Sequence, residues 1–358
     1  MLDPTEFREL VSGRRRGGRA AAMRAVLRAA EAPYTLAVDW RNRRYDRGHA
    51  MVHRVSVPVI SIGNLTLGGT GKTPMVKWIA NWLGERGVRA AIVSRGYGAQ
   101  TNGHNDEAQE LSQALLDVPH VQNPDRVAAA ERAIAEFGCQ TVLLDDGFQH
   151  RRLARDMDIV LLDALEPFGF EHVFPRGTLR EPVEGLRRAD AVCLSRADSI
   201  SAAERDAIRC RVGGLAPQAM WCELSHRPSG LLNASGATQP LAALAGRRVA
   251  AFCGIGNPAG FRHTLSTLEC DVVVWREFPD HYAYGADDVA ELSQAAANSK
   301  ADVVVCTHKD LVKVRQLDLG DVALWAITIE MCFLTGQDAM ESRMASILRQ
   351  SEAFSAKR

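Results

Sequence analysis

The stretch Gly63-Asn64-Leu65-Thr66-Leu67-Gly68-Gly69-Thr70-Gly71-Lys72-Thr73-Pro74 constrains this chain more than any other feature, because of what flanks it. An apolar run at 57–62 precedes it, and Met75, Val76, Ile79, Ala80 and Leu83 recur after it at helical spacing. Strand, glycine loop and helix in that order are what a phosphate-binding loop requires. Glycines let backbone N–H groups converge on phosphate oxygens, and the helix N-terminus adds partial positive charge. On that reading Thr66, Leu67, Gly68, Gly69, Thr70, Gly71, Lys72 and Thr73 hold a nucleotide. Lys72 reaches the β- and γ-phosphates, and the Thr73 hydroxyl can hold Mg²⁺. The strict pattern Gly-x-x-x-x-Gly-Lys-Ser/Thr fails at its first position, where Thr66 stands. A glycine-rich turn with an incidental lysine is the competing reading.

Such a loop needs a carboxylate at the end of a neighbouring strand to hold Mg²⁺ from the other side. Thr141-Val142-Leu143-Leu144-Asp145-Asp146-Gly147-Phe148-Gln149-His150 supplies one, delivering Asp145 and Asp146 to the carboxyl end of an apolar run, where open α/β sheets bind ligands. Alone, Asp-Asp after a strand is also an ordinary turn or cap. Asp163, closing another run, reads as a turn residue.

Short apolar runs at 55–62, 89–94, 141–145, 158–163 and 190–195, separated by helix-length segments, predict a parallel sheet with helices on both faces. A Gly-, Ser-, Asn- and Pro-rich stretch at 228–240 breaks the series, and runs at 248–253, 271–275 and 302–306 start another. The expected fold class is therefore α/β, a P-loop NTPase-like parallel sheet plus a smaller second α/β domain. The expected division is an arm at 1–54, a nucleotide-binding domain at 55–227 with 328–358 packed back on it, and a lid domain at 228–327. With 46% hydrophobic and 24% charged residues the chain is globular, and it has no apolar run of the length a bilayer demands. Its eight scattered cysteines, without Cys-x-x-Cys or zinc spacing, read as buried thiols of a reducing cytosol.

Zero net charge hides an asymmetry: residues 1–54 hold twelve arginines against six acids. Within that arm Met23, Val26, Leu27 and Ala30 fall on one helical face, and Arg19, Arg24 and Arg28 mostly on another. A basic amphipathic helix suits an anionic membrane surface, whose lipids attract each Lys or Arg by about 1 kcal/mol. A helix packed on its own domain, or a solvated arm, is the alternative.

The combination of the phosphate loop with Ser94-Arg95-Gly96-Tyr97-Gly98, Asp145-Asp146-Gly147-Phe148-Gln149-His150, Leu179-Arg180-Glu181-Pro182 and Phe278-Pro279-Asp280-His281-Tyr282 resembles the tetraacyldisaccharide 4'-kinase family, in order, through nearly the whole chain. The resemblance implies transfer of the γ-phosphate of ATP, with Mg²⁺, to the 4'-hydroxyl of an acylated glucosamine disaccharide 1-phosphate. It also implies a peripheral place at the cytoplasmic face of the bacterial inner membrane, against anionic lipid, with no nucleic-acid partner. Residue by residue, it gives Asp106 the role of catalytic acid and His281 that of its partner in accepting the hydroxyl proton, beside Lys72. It places Glu181 with Thr73, Asp145 and Asp146 near the metal, and Asn64, Arg95, Gln149, His150 and Arg180 near substrate or phosphates. Asn105, Ala108, Arg176, Gly256 and His308 depart from the family pattern. In the second domain, Gly254-Ile255-Gly256-Asn257-Pro258 fails as a dinucleotide fingerprint for want of a third glycine. Thr307-His308-Lys309-Asp310 imitates a guanine-binding motif with lysine one place late. Two other readings stay open: a kinase of a soluble small molecule, and a nucleotide-gated switch.

Overall fold

The computed structural model describes residues 4–96, 111, 112, 114–256, 258–279 and 282–355. The chain forms two compact units. The first takes the described residues of Met1–Arg95, Asp117–Ser225 and Cys332–Arg358, and the second those of Gly96–Leu116 and His226–Met331.

In the first unit β1 (Val59–Asn64), β2 (Ala90–Ser94), β3 (His120–Gln122), β4 (Thr141–Asp145), β5 (Met157–Asp163), β6 (Ala191–Ser195) and the start of β7 (Met220–Leu232) run in the order β7-β6-β5-β1-β4-β2-β3. Every pairing along that order is parallel. Strands β1, β2, β4, β5 and β6 are buried at every residue, the mark of a sheet covered on both faces. Full burial of each Ile, Leu or Val contributes roughly 1.5–3 kcal/mol, so these strands carry much of the unit's stability. The first strand begins and ends later than the apolar run suggests, and the three-residue β3 is too short to leave a sequence pattern. Register decides the function of this edge. Val59 pairs with Val142 and Ile62 with Asp145, so the loop after β1 and the acids after β4 leave the sheet together.

The amino-terminal arm is two helices, α1 (Pro4–Val11) and α2 (Gly18–Asp46). The second is far longer than the apolar pattern around residues 20–30 implies, and it continues through Pro33. It is not a detached arm, since Ala20, Val38 and Asn42 are buried in the unit. The closing helix Gln337–Ser355 also lies in this unit, where the preceding Phe333 packs on Trp78 of α3 (Lys72–Gly84), ring centroids 4.7 Å apart.

The second unit contains β9 (Arg248–Cys253), β10 (Asp271–Glu277), β11 (Val303–Thr307) and most of β13 (Val322–Thr335), parallel in the order β10-β9-β11-β13. Two short strands, β8 (Thr238–Gln239) and β12 (Asp318–Leu319), turn back antiparallel on β7 and β13. The stretch at 228–240 begins as strand. Strand β7 passes through Pro228 to Leu232, and the turn comes afterwards, where the Asn233 side-chain oxygen accepts from the backbone of Ser235 and Ala237. Of the eight thiols five are buried, while Cys210 is exposed and Cys270 and Cys332 are half-buried, so the uniform burial expected of them does not hold.

Candidate active site

Strand β1 ends at Asn64 and α3 begins at Lys72, and between them the loop relies on glycine where glycine is required: Gly68 has φ 110° and Gly71 φ 86°. Thr66 explains its own departure from consensus. It pairs with Leu179 as an isolated antiparallel bridge, in ordinary extended backbone that any residue adopts. The Leu67 N–H donates to the Thr178 carbonyl and the Arg180 N–H to the Leu65 carbonyl, both at 2.7 Å, so the phosphate loop and the 178–181 loop are pinned to each other. Gly63 is fixed by crowding, because a Cβ there would lie 2.6 Å from that of Phe148.

Around this loop the charged residues converge. Lys72 Nζ lies 3.5 Å from Asp146 Oδ1, and Arg180 Nη1 donates to both oxygens of the same carboxylate at 2.8 Å. Burial pushes the Asp146 carboxyl up, but the Lys72 and Arg180 charges, the Arg180 hydrogen bonds and Arg126 outweigh it and hold its pKa below the ordinary range. Asp146 sits in left-handed backbone at φ 52°, which turns its side chain out of line with that of the buried Asp145 at the end of β4. Gln149 Nε2 donates to the Asn64 carbonyl at 2.9 Å and to Glu181 Oε1 at 3.1 Å. Arg95 lies directly after β2 on the same sheet edge.

Two of the expected site residues have well-defined surroundings. Glu181 is fully buried, and its oxygens accept from Arg188 Nη2 at 2.9 Å, from Asn42 Nδ2 at 2.8 Å and from Gln149. These bonds tie the 178–181 loop to its surroundings. His150, expected near substrate or phosphates, is an uncharged ring. Burial and the neighbouring Arg126, Arg155 and Arg152 charges lower its pKa to about 4, so the ring is neutral at physiological pH. Beside Lys72 and Arg180, two further cations come from residues that no motif marks. Arg126, 5% exposed at the start of the helix Arg126–Phe137, faces Asp145 and Asp146, and burial lowers its pKa. Arg196, in left-handed backbone after β6, is paired with Asp163 and donates to the Gly69 carbonyl at 3.2 Å. Asp163 is thus more than a turn residue. Arg196 directly follows the apolar run at 190–195, as Arg95 follows that at 89–94, but arginine is too common in this sequence for that to mark a site.

The surroundings fit ATP and Mg²⁺. The Thr70 hydroxyl is buried with no hydrogen-bond partner among the described residues, and a Cβ at Gly69 would meet nothing within 4 Å, so backbone can approach a phosphate there. Thr73 lies in the first turn of α3, and Asp145 ends the strand paired with β1, so the loop is flanked in the fold by a hydroxyl and a carboxylate. Among the described residues no three His, Cys, Asp or Glu side chains form a protein-only metal cage. Mg²⁺ needs none, since it is held by one or two carboxylates together with phosphate oxygens.

Asp106 and His281 lie outside the described residues. In the second unit, Phe278, Tyr282 and Tyr284, which flank residue 281 in sequence, pack with Phe252 at ring distances of 4.9–6.4 Å. Asp310 is fully buried and accepts from the Gly254 N–H at 2.9 Å, Tyr284 Oη at 2.8 Å and Thr307 Oγ1 at 2.5 Å. It is committed to internal donors, which removes the guanine-binding resemblance of the Thr307–Asp310 segment. His308 is the first residue of the short helix His308–Val314.

The chain is similar to known proteins in sequence and in fold. Residues 23–349 match the family model described as tetraacyldisaccharide-1-P 4'-kinase. The chain is 40% identical to the tetraacyldisaccharide 4'-kinase of Anaeromyxobacter dehalogenans strain 2CP-C, with 90% of each chain covered. It is 37% identical to that of Geobacter sulfurreducens, covering 91% of this chain and 94% of that one. The crystal structure of Aquifex aeolicus LpxK in complex with ATP superposes with a TM-score of 0.74 at 27% identity, covering 91% of this chain and 99% of that one.

Proposed function

The chain belongs to the tetraacyldisaccharide 4'-kinase family, and on that premise we infer that it phosphorylates the 4'-hydroxyl of a tetraacyldisaccharide 1-phosphate in lipid A biosynthesis, with ATP as donor and Mg²⁺ as cofactor. The observation that carries this reading is the convergence of Lys72 and Arg180 on Asp146 at the mouth of the phosphate loop. The acceptor oxygen attacks the γ-phosphorus, the bond from that phosphorus to the β-bridging oxygen breaks, and ADP leaves. Thr73 and Asp145, with Asp146 beside them, would hold Mg²⁺, which would neutralise charge on the phosphates. Lys72 and Arg180 hold the transferring group and stabilise its charge, and the loop N–H groups fix its line of approach. Asp106, coupled to His281, takes the hydroxyl proton; transfer demands mostly positioning, so a weak base suffices.

The acceptor's acyl chains lie in a lipid bilayer, and we place the protein peripherally on the anionic cytoplasmic face of the inner membrane. No described helix is long and apolar enough to cross a membrane. In support of a surface position, Ala22, Val26, Ala29, Pro33, Leu36 and Trp40 form one exposed apolar stripe along α2, with Val26 68%, Leu36 70% and Trp40 63% exposed. This differs from the face read from sequence. Leu27 and Arg24 turn partly inward, and Arg24 donates to the Leu10 and Arg15 carbonyls.

Incubation with ATP, Mg²⁺ and the tetraacyl disaccharide 1-phosphate should give a lipid heavier by one phosphoryl group, and an unchanged lipid mass would remove the reading. The acid pair is tested on the same assay. Asp106→Ala and His281→Ala should each cost much rate, and the double variant little more than the worse single one, whereas additive losses would make His281 a binding residue only.

A further inference from the structure

Helix α2 presents its inner face to the phosphate site through a residue that belongs to no motif. Asn42 is 8% exposed, and its side-chain amide donates to Glu181 Oε2 at 2.8 Å. The other polar atoms of Asn42 are also engaged: Arg41 Nη2 donates to its Oδ1 at 3.3 Å, and Arg151 Nη1 to its carbonyl at 2.9 Å. About two helix turns before it, Tyr34 Oη donates to the Arg180 carbonyl at 3.3 Å. The dipeptide Arg180-Glu181 is thus held by α2 at the backbone of one residue and the side chain of the next. From the opposite side the phosphate loop holds it through the Arg180 N–H on Leu65.

The direction of dependence follows from where freedom remains. Arg180 must place one nitrogen 2.8 Å from both oxygens of Asp146 while Asp146 lies 3.5 Å from Lys72. Such an arrangement tolerates little displacement of the backbone that carries it. Removing one donor from a fully buried carboxylate leaves an uncompensated lone pair and drives Glu181 to re-pair, pulling its neighbour with it.

We propose that Asn42 is a positioning residue for phosphoryl transfer: through Glu181 it fixes the backbone that presents Arg180 to Asp146 and Lys72, so the seating of α2 sets the geometry of the phosphate site. The proposal rests on the assignment of Lys72, Asp146 and Arg180 to that site. Helix α2 then serves lipid with its outer face and the reacting phosphate with its inner one.

The test uses the full chain and detergent-dispersed acceptor. Asn42→Leu keeps the side chain's bulk and removes the donor, and Asn42→Ala serves where leucine does not fold. Either should lower kcat on the order of 10- to 100-fold, the scale of a small misplacement in an active site, with one ATP bound per chain as in the parent. In an Arg180→Ala background the same change should cost almost nothing more, because its effect passes through Arg180. An unchanged kcat, or an equal loss in both backgrounds, overturns the proposal. A fall in ATP sites per chain that matches the fall in kcat also overturns it, by reducing Asn42 to a fold-supporting residue. A normal rate in Arg180→Ala itself would overturn the site assignment on which the proposal stands, and is distinguished by that single variant.

Discussion

The phosphate loop at 64–73 and the helices α1 and α2 both belong to the site, and they reach it by opposite routes. The loop carries its chemistry in ten consecutive residues, because the donors that meet phosphate are its own backbone. Helix α2 contributes through side chains spaced along its length: Glu31, which accepts from the Val173 N–H, then Tyr34 and Asn42. Helix α1 reaches further still, since the Arg8 guanidinium would lie 3.1 Å from a Cβ placed on Gly68. A local motif therefore specifies where phosphate goes, while a distant segment specifies how firmly the surrounding loop is held.

The largest effects should fall on the loop side. Lys72→Ala removes a phosphate contact and Asp145→Asn weakens the hold on Mg²⁺, each lowering turnover on the order of 10²-fold or more, as for loss of one preorganised charge. Steady-state rates at saturating ATP and Mg²⁺ decide it. In the same assay Leu36→Ser with Trp40→Ser, on the outer face of α2, should leave the rate on dispersed acceptor near that of the parent. Should the two sets cost alike, the division between loop chemistry and arm support is false.

What was legible in the sequence follows the same division. The order strand, loop, helix around Lys72 and the placement of Asp145 and Asp146 after a strand were readable, because periodicity and contiguous motifs reflect local geometry. The register that brings Ile62 beside Asp145 was implied by the parallel pattern alone. Asn42, Arg126, Arg188 and Arg196 were not readable. Each is an ordinary polar residue of helix or loop until the sheet order brings it to the site, and the partners of Glu181 were not readable because its three donors come from separate segments. The second unit was legible as alternating strands and helices, but the continuity of β7 through Pro228 was hidden by turn-forming residues that lie mostly beyond its end.

An intermediate effect separates lipid attachment from catalysis. Replacing Arg14, Arg16, Arg19 and Arg28 by Gln removes several attractions to anionic lipid of about 1 kcal/mol each at the surface. Arg24 is left in place because its guanidinium caps carbonyls of the arm itself. Binding to anionic vesicles should drop by about tenfold or more, and that of the parent should weaken with added salt. Turnover of dispersed acceptor should change far less. If ATP binding is lost together with vesicle binding, the arginines support the fold; if vesicle binding survives in high salt, the apolar stripe alone holds the protein to lipid.

The smallest effect concerns His150, on the loop side, and it appears in stability rather than rate. Its pKa is lowered from 6.5 to about 4 by burial and then by the Arg126, Arg155 and Arg152 charges. Between those values the unfolded chain binds a proton that the native one refuses, so the contribution of the neutral ring is complete above pH 6.5 and is lost as pH falls toward 4. Burial raises the carboxyls of Asp158 and Glu166, which act in the opposite sense by binding protons first in the native state. Comparison of the parent with His150→Gln cancels those two. The thermal midpoint of the parent should fall more steeply between pH 6.5 and 4 than that of the variant, by a few degrees over the window for a chain of this size. Parallel slopes would mean that the ring charges as readily in the fold as outside it, and that the arginines around the Asp145–His150 turn direct their charge elsewhere than at this residue.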